Sequence, residues 1–183
     1  MENTSQEQRR QVIDKWGKEL SEEEKAAVQE VMKEVIDRKI PLRDAIGITP
    51  ETMSRVHDMA YQMYNNGRYQ QALQLFRLLI TLETVDVKYL MGIAASLHML
   101  KDFSKAAEMY FYINAIYPND PIPYYHAADC YLQMDLPDVA AAVLKRCILQ
   151  CENKPEYDQL RKRVEVILEG LLQAHPEFKE IAA

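Results

Sequence analysis

His126, Asp129 and Cys130 fall within one helical turn, and Cys147 and Cys151 stand four residues apart. Such spacings place donor atoms on one face of a helix, an arrangement that zinc sites use. A metal site needs three or four converging donors, and no further ligand stands at a recognisable spacing. The three cysteines are an odd number set inside apolar helical patterns, so they read as reduced thiols in a core. No Gly-rich phosphate loop, GxSxG elbow or HExxH pair occurs. The expectation is therefore a protein without catalytic residues, bound metal or cofactor.

The elements that carry these residues are helical by composition. Only 5 glycines occur among abundant Ala, Leu, Met, Glu and Lys, which favours an all-α chain. A length of 183 residues with 48% hydrophobic content suits one core with extensions. With 28 acidic against 22 basic residues the net charge is −6, and no dense basic block offsets it, which excludes nucleic acid as a partner class. No apolar run approaches the roughly 20 residues of a bilayer span. The opening MENTSQEQRR lacks the apolar core of a secretory signal. A cytoplasmic protein with no stable membrane insertion is expected.

Laid against itself at an offset of 34, the chain brings Ala60, Ala94 and Ala128 into register, and likewise Ala72, Ala106 and Ala140. Phe76, Tyr110 and Leu144 align too, and Tyr69 meets Phe103. This is the period and pattern of the tetratricopeptide repeat, a pair of antiparallel helices packed through small residues. The copies are placed at 53–86, 87–120 and 121–154, enough for a short solenoid. Turns are expected at Asn66-Gly67, Lys101-Asp102 and Asp135 to Pro137, and Asp120-Pro121 supplies an N-cap and first-turn proline.

Residues 1–40 read as a helical extension. Ser21 to Glu24 matches a capping box, and Ala27, Val28, Val31, Met32, Val35 and Ile36 recur at three- and four-residue spacing before Pro41. This amphipathic stripe, Val28, Val31, Met32 and Val35 above all, could bury against a second copy, so a homodimer is a possible partner state. At the other end, within 155–183, Tyr157, Leu160, Val164, Ile167, Leu168 and Leu171 form the stripe of a helix suited to cap the last repeat.

In stacked repeats the first helix of each pair lines the concave surface. Its positions 2, 5, 9 and 12 share a face. The first copy contributes Ser54, His57, Tyr61 and Tyr64, the second Lys88, Met91, Ala95 and His98, and the third Ile122, Tyr125, Asp129 and Leu132. A solvated face would be dominated by Lys and Glu. This row is aromatic and aliphatic, the character of a groove for an apolar peptide. The bland reading is that single members of the row are covered by the N-terminal helix or pack within the array. Met91, an adaptable thioether on the row, is read as a cargo contact, and Met109 as core filling.

The stretch from Ala60 through Tyr61, Tyr64, Asn66, Gly67, Arg68 and Tyr69, then Ala72 and Phe76-Arg77-Leu78-Leu79, then Tyr89-Leu90-Met91-Gly92-Ile93-Ala94-Ala95, resembles the class II chaperones of type III secretion, the SycD/LcrH family. Leu42 to Ile48 is similar to that family's lead-in, and the similarity spans about residues 40 to 150. The resemblance implies a bacterial cytoplasmic chaperone that keeps hydrophobic translocator proteins soluble before secretion, with no catalysis. It implies that an extended cargo segment with spaced proline and leucine lies in the groove, Tyr61 and Tyr64 forming pockets for it. His57 stands where relatives often carry an aromatic, and the charged N-terminal stretch with Trp16 departs from the family pattern. The alternative is a general tetratricopeptide adaptor or scaffold. Adaptors that grip a carboxylate use basic and amide residues on the first inner face, where this chain has His57 and Tyr61.

Overall fold

Ser21 opens the first described helix, α1 (Glu22–Arg38), with the reciprocal cap its sequence predicts. Its Oγ accepts the Glu24 N–H at 3.2 Å, while its own N–H donates to the Glu24 carboxylate at 2.6 Å. Three first-turn acids complement the helix dipole. The helix ends at Lys39 in the left-handed region, and a short turn of helix, α2 (Leu42–Ala45), follows Pro41. The structure is a computed structural model and describes residues 21–83 and 86–179. Trp16 and the rest of residues 1–20, together with 84–85 and 180–183, lie outside the described residues. The chain divides into two units, one ending at Thr52 and the other beginning at Met53.

The second unit is a run of helix pairs: α3 (Pro50–Asn65) with α4 (Tyr69–Leu82), α5 (Val87–Met99) with α6 (Phe103–Ile116), and α7 (Pro121–Gln133) with α8 (Pro137–Cys151). The first residues of α3 belong to the first unit. A 3-10 turn at Pro155–Tyr157 leads into α9 (Asp158–Ala174), and another follows at Pro176–Lys179. From α4 onward each helix packs on the next, and no strand occurs among the described residues. The architecture is all-α with tandem helical repeats, as the period implies.

The 34-residue period reappears as geometry. Within-pair turns place Gly67, Lys101 and Asp135 at φ 75°, 62° and 59°. After each, a backbone N–H reaches back across the helix end: Arg68 to the Met63 carbonyl at 2.8 Å, Asp102 to Leu97 at 3.0 Å, Leu136 to Tyr131 at 3.0 Å. These are the paired bonds that satisfy orphan carbonyls at a helix C-terminus, and they require a left-handed residue. Asp86 and Asp120, also 34 apart, cap α5 and α7 by accepting the N–H of Lys88 and of Ile122, each at 2.9 Å.

Ala60, Ala94, Ala128, Ala72, Ala106 and Ala140 are all fully buried, and Phe76, Tyr110 and Leu144 are nearly so. Two further buried columns emerge, Leu73, Ala107, Ala141 and Leu79, Ile113, Cys147. Cys147 thus occupies an aliphatic position, where its thiol donates to the Pro121 carbonyl at 3.2 Å and burial pushes it up to about 12. All three cysteines are free and buried. On α9, Val164 is fully buried against Ala128, Leu144, Cys147 and Cys151, flanked by Tyr157, Leu160, Ile167, Leu168 and Leu171. The C-terminal helix caps the array. α5 approaches α4 tightly at Gly92, where an added Cβ would lie 2.5 Å from the Phe76 ring.

Two outcomes follow from these contacts. Lys101 bears the cost of a left-handed L-residue where Gly67 does not, so Lys101→Gly raises stability by about 0.5–1 kcal/mol, read as a higher urea midpoint at unchanged slope. An unmoved or lowered midpoint rejects the strain assigned to this turn. Gly92→Ala forces the Phe76 ring aside and lowers stability by about 1–3 kcal/mol, the usual cost of overpacking. A midpoint equal to that of the unaltered protein would show that the ring has room to yield.

Candidate peptide-binding groove

The inner row begins on α3, where Ser54, His57, Tyr61 and Tyr64 succeed one another at helical spacing, and continues on α5 with Lys88, Met91, Ala95 and His98. His57, Tyr61, Tyr64, Lys88, Met91 and Ala95 converge on one cavity of about 330 Å³. Phe76 and Gly92 complete its lining. Phe76 comes from α4, the second helix of its pair, and reaches the groove because Gly92 presents no side chain in front of it. A rule that admits only first helices misses it. The signals were nevertheless present, a buried aromatic in the 34-residue register and a glycine beside Met91.

The cavity is apolar with a single basic rim. His57 meets the Phe76 ring edge-on at 6.1 Å and the Tyr89 ring at 5.8 Å, and its Nδ1 lies 3.5 Å from Asp58. Tyr64 lies edge-on to Tyr69 at 5.4 Å; burial, with Tyr69 and Tyr61 nearby, raises its phenol above the ordinary range, so it remains neutral. Tyr61 is 56% exposed and supplies a wall free to meet a ligand. Lys88 is held at the rim by Asp86 at 2.9 Å and stands over the Tyr89 ring at 4.8 Å, and the hydrogen bond to Asp86 raises its ammonium further. An apolar side chain entering here is enclosed by aromatic faces and a thioether, with no buried charge to desolvate.

The remaining members of the row lie outside this cavity. His98 and Asp129 pair across α5 and α7 at 2.9 Å. Tyr125 is drawn toward the cap, packing against the cluster around Val164 with Arg163 over its ring at 5.7 Å. Ile122 and Leu132 are half-buried. A larger depression of about 440 Å³ between Tyr117, Asn119, Lys154 and Tyr157 is wide open and lined as much by polar as by apolar groups, which makes it the weaker candidate. Among the described residues no three His, Cys, Asp or Glu converge as metal ligands, and no helix is long and apolar enough to cross a membrane. The His126, Asp129 and Cys130 cluster resolves into separate contacts: His126 stacks on Tyr110 at 5.4 Å, while Asp129 and Cys130 both address His98.

The tetratricopeptide repeat family model matches residues 54–85 and 87–119. The chaperone protein SicA of Salmonella typhimurium is 30% identical over 150 residues, covering 82% of this chain and 88% of SicA. The translocator chaperone SycD of Yersinia enterocolitica superposes with a TM-score of 0.65 at 26% identity, over 70% of this chain and 96% of SycD. SycD in complex with a peptide of the translocator YopD gives 0.65 at 27% identity, over 69% of this chain and 97% of that one. With its buried alanine registers, left-handed turns and aromatic inner face, the chain belongs to the SycD/LcrH family of class II type III secretion chaperones.

Proposed function

We propose that this protein is a chaperone that holds an extended, apolar segment of a type III translocator in its inner groove. It would act in the bacterial cytoplasm, keeping its cargo soluble before secretion, by binding alone and with no chemical step. The observation that carries this reading is the cavity lined by His57, Tyr61, Tyr64, Phe76, Met91, Gly92 and Ala95 with Lys88 at its rim, on the inner face of a chain from a translocator-chaperone family. Enclosing one leucine-sized side chain removes apolar surface from water at about 25 cal/mol per Å². The gain is partly offset by the cost of ordering the segment, which leaves the affinity moderate and release attainable. Ile122, Tyr125, Asp129 and Leu132 extend the groove toward the third repeat. An adaptor that grips a terminal carboxylate needs a cationic inner face at the first repeat, and His57 and Tyr61 do not provide one.

A second property is favoured by the first unit. No residue of α1 is buried, and Val28, Met32 and Ile36 are 52%, 46% and 66% exposed along one face, with Val31 and Val35 beside them. We propose that this stripe joins two copies of the chain.

Replacing both Tyr61 and Tyr64 with Ala lowers affinity for a co-expressed translocator by about 2–4 kcal/mol, as for paired aromatic hot spots, while helicity by circular dichroism is retained. Unchanged affinity in the folded double variant rejects the groove. For the dimer, Val28→Glu with Met32→Glu halves the particle mass in light scattering. The same mass before and after substitution would exclude α1 as the contact.

A further inference from the structure

Asp129 is the one carboxylate of the inner row, and its surroundings engage one of its oxygens and leave the other open. Its Oδ2 lies 2.9 Å from His98 Nε2, and on the far side of the ring Nδ1 lies 3.8 Å from Cys130 Sγ. Cys130 is fully buried, and burial pushes its thiol up to about 12, so it keeps its proton beside the ring. The ring's Nε2–H donates to the Asp129 carboxylate, which engages one of its two oxygens and orients the group. The other histidine at this level, His126, is held below its ordinary range chiefly by burial, stacked on Tyr110 and edge-on to Tyr125, so it adds no cation. Lys88 is engaged by Asp86 at the opposite end of α5, and Arg163 lies over the Tyr125 ring.

The Asp129 side chain is 42% exposed, and its second oxygen has no hydrogen-bond partner among the described residues. It lies outside the apolar cavity but is linked to it through Tyr110 and His98. Tyr110, buried beneath the row, is near enough to both Tyr64 and Asp129 for each to act on its phenol. His98 stands one turn beyond Ala95, the last cavity residue on α5. An apolar anchor seated in the cavity therefore leaves the neighbouring part of an extended segment beside an oriented, half-exposed carboxylate with one oxygen open.

We propose that Asp129, oriented by His98, selects cargo segments that carry a lysine or arginine close to the apolar residue filling the cavity. Neighbouring packed helices lie about 10 Å apart and an extended chain advances roughly 3.3 Å per residue, which sets the separation at about three residues. The selection rests on the groove reading above: the cavity supplies the affinity and Asp129 the choice among apolar segments.

The test uses the full-length protein and short fluorescein-labelled peptides, each with one central leucine and a Lys, Gln or Glu placed about two to four residues to either side. Binding is read by anisotropy at low and high salt. At the best spacing the Lys peptide binds roughly threefold to fivefold more tightly than its Gln counterpart, the size of a half-exposed ion pair, and the gap narrows in high salt. Asp129→Asn removes the gap between the Lys and Gln peptides, and Asp129→Lys reverses the preference toward Glu. Equal binding of the three peptides at every spacing, or a gap that survives in both variants, overturns the selection by Asp129 and leaves the groove reading intact. Binding of none of the peptides, or peptide binding indifferent to Tyr61→Ala with Tyr64→Ala, overturns the groove reading and the selection with it.

Discussion

The close approach of helices at six alanines, repeated every 34 residues, is the constraint on which the groove depends. Ala60, Ala94 and Ala128 on the first helices and Ala72, Ala106 and Ala140 on the second leave no surface exposed. A larger side chain at any of them would have to displace a neighbouring backbone, because protein interiors have no slack at the scale of a methylene. Small residues at these points fix how each pair closes and how it sets against the next, so the face of each first helix that turns inward is decided by packing on its opposite side. The row from His57 to Leu132 is what remains after the buried face is assigned. Its apolar character is thus a property in addition to the fold, since the core is already supplied by Phe76, Leu79, Tyr110, Ile113 and Leu144.

The connecting turns obey the same period under a different physics. Each pair must reverse direction within three residues, and a left-handed residue at Gly67, Lys101 and Asp135 lets the chain do so while satisfying carbonyls at the helix end. Only the first copy uses glycine for this. That Lys101 and Asp135 adopt the same φ shows how strongly packing of the alanine columns dictates backbone conformation, overriding the local preference of each residue.

This explains which parts of the molecule were legible in the sequence. Helix pairs, turns, caps and the C-terminal capping stripe are local or periodic features, and spacing alone places them. Val164 falls in its stripe, Ser21 in its capping box, Asp120 before its proline. The inner positions on α3 and α5 follow from helical phase, and six of them do meet in one cavity. Two kinds of feature required coordinates. Phe76 enters the cavity from a second helix through the gap at Gly92, a relation between elements that no single helix's periodicity encodes. His98 and Asp129 pair across repeats because of how far one helix pair is rotated on the next, a quantity set by the sizes of many packed side chains together. Tyr125 belongs to the inner phase of α7, yet α9 competes for it, and the cap draws it toward the cluster around Val164.

A groove of this composition has a division of labour built into it. Apolar burial is non-directional and scales with area, so a cavity walled by Tyr61, Tyr64, Phe76 and Met91 accepts any side chain of suitable bulk. That tolerance suits a protein whose partners expose much apolar surface, but it supplies little discrimination. Discrimination needs groups whose mismatch is costly, and in a row whose one lysine, Lys88, is already paired with Asp86, a single oriented carboxylate is such a group, since an apolar or acidic neighbour would leave it unpaired or repelled. The His98 imidazole supplies the orientation from one side, and the Cys130 thiol packs 3.8 Å from the ring on the other. The cysteine whose spacing first suggested a metal site is thereby accounted for: burial keeps it a thiol, and as a thiol it lines the polar pair that an apolar groove needs in order to tell its ligands apart.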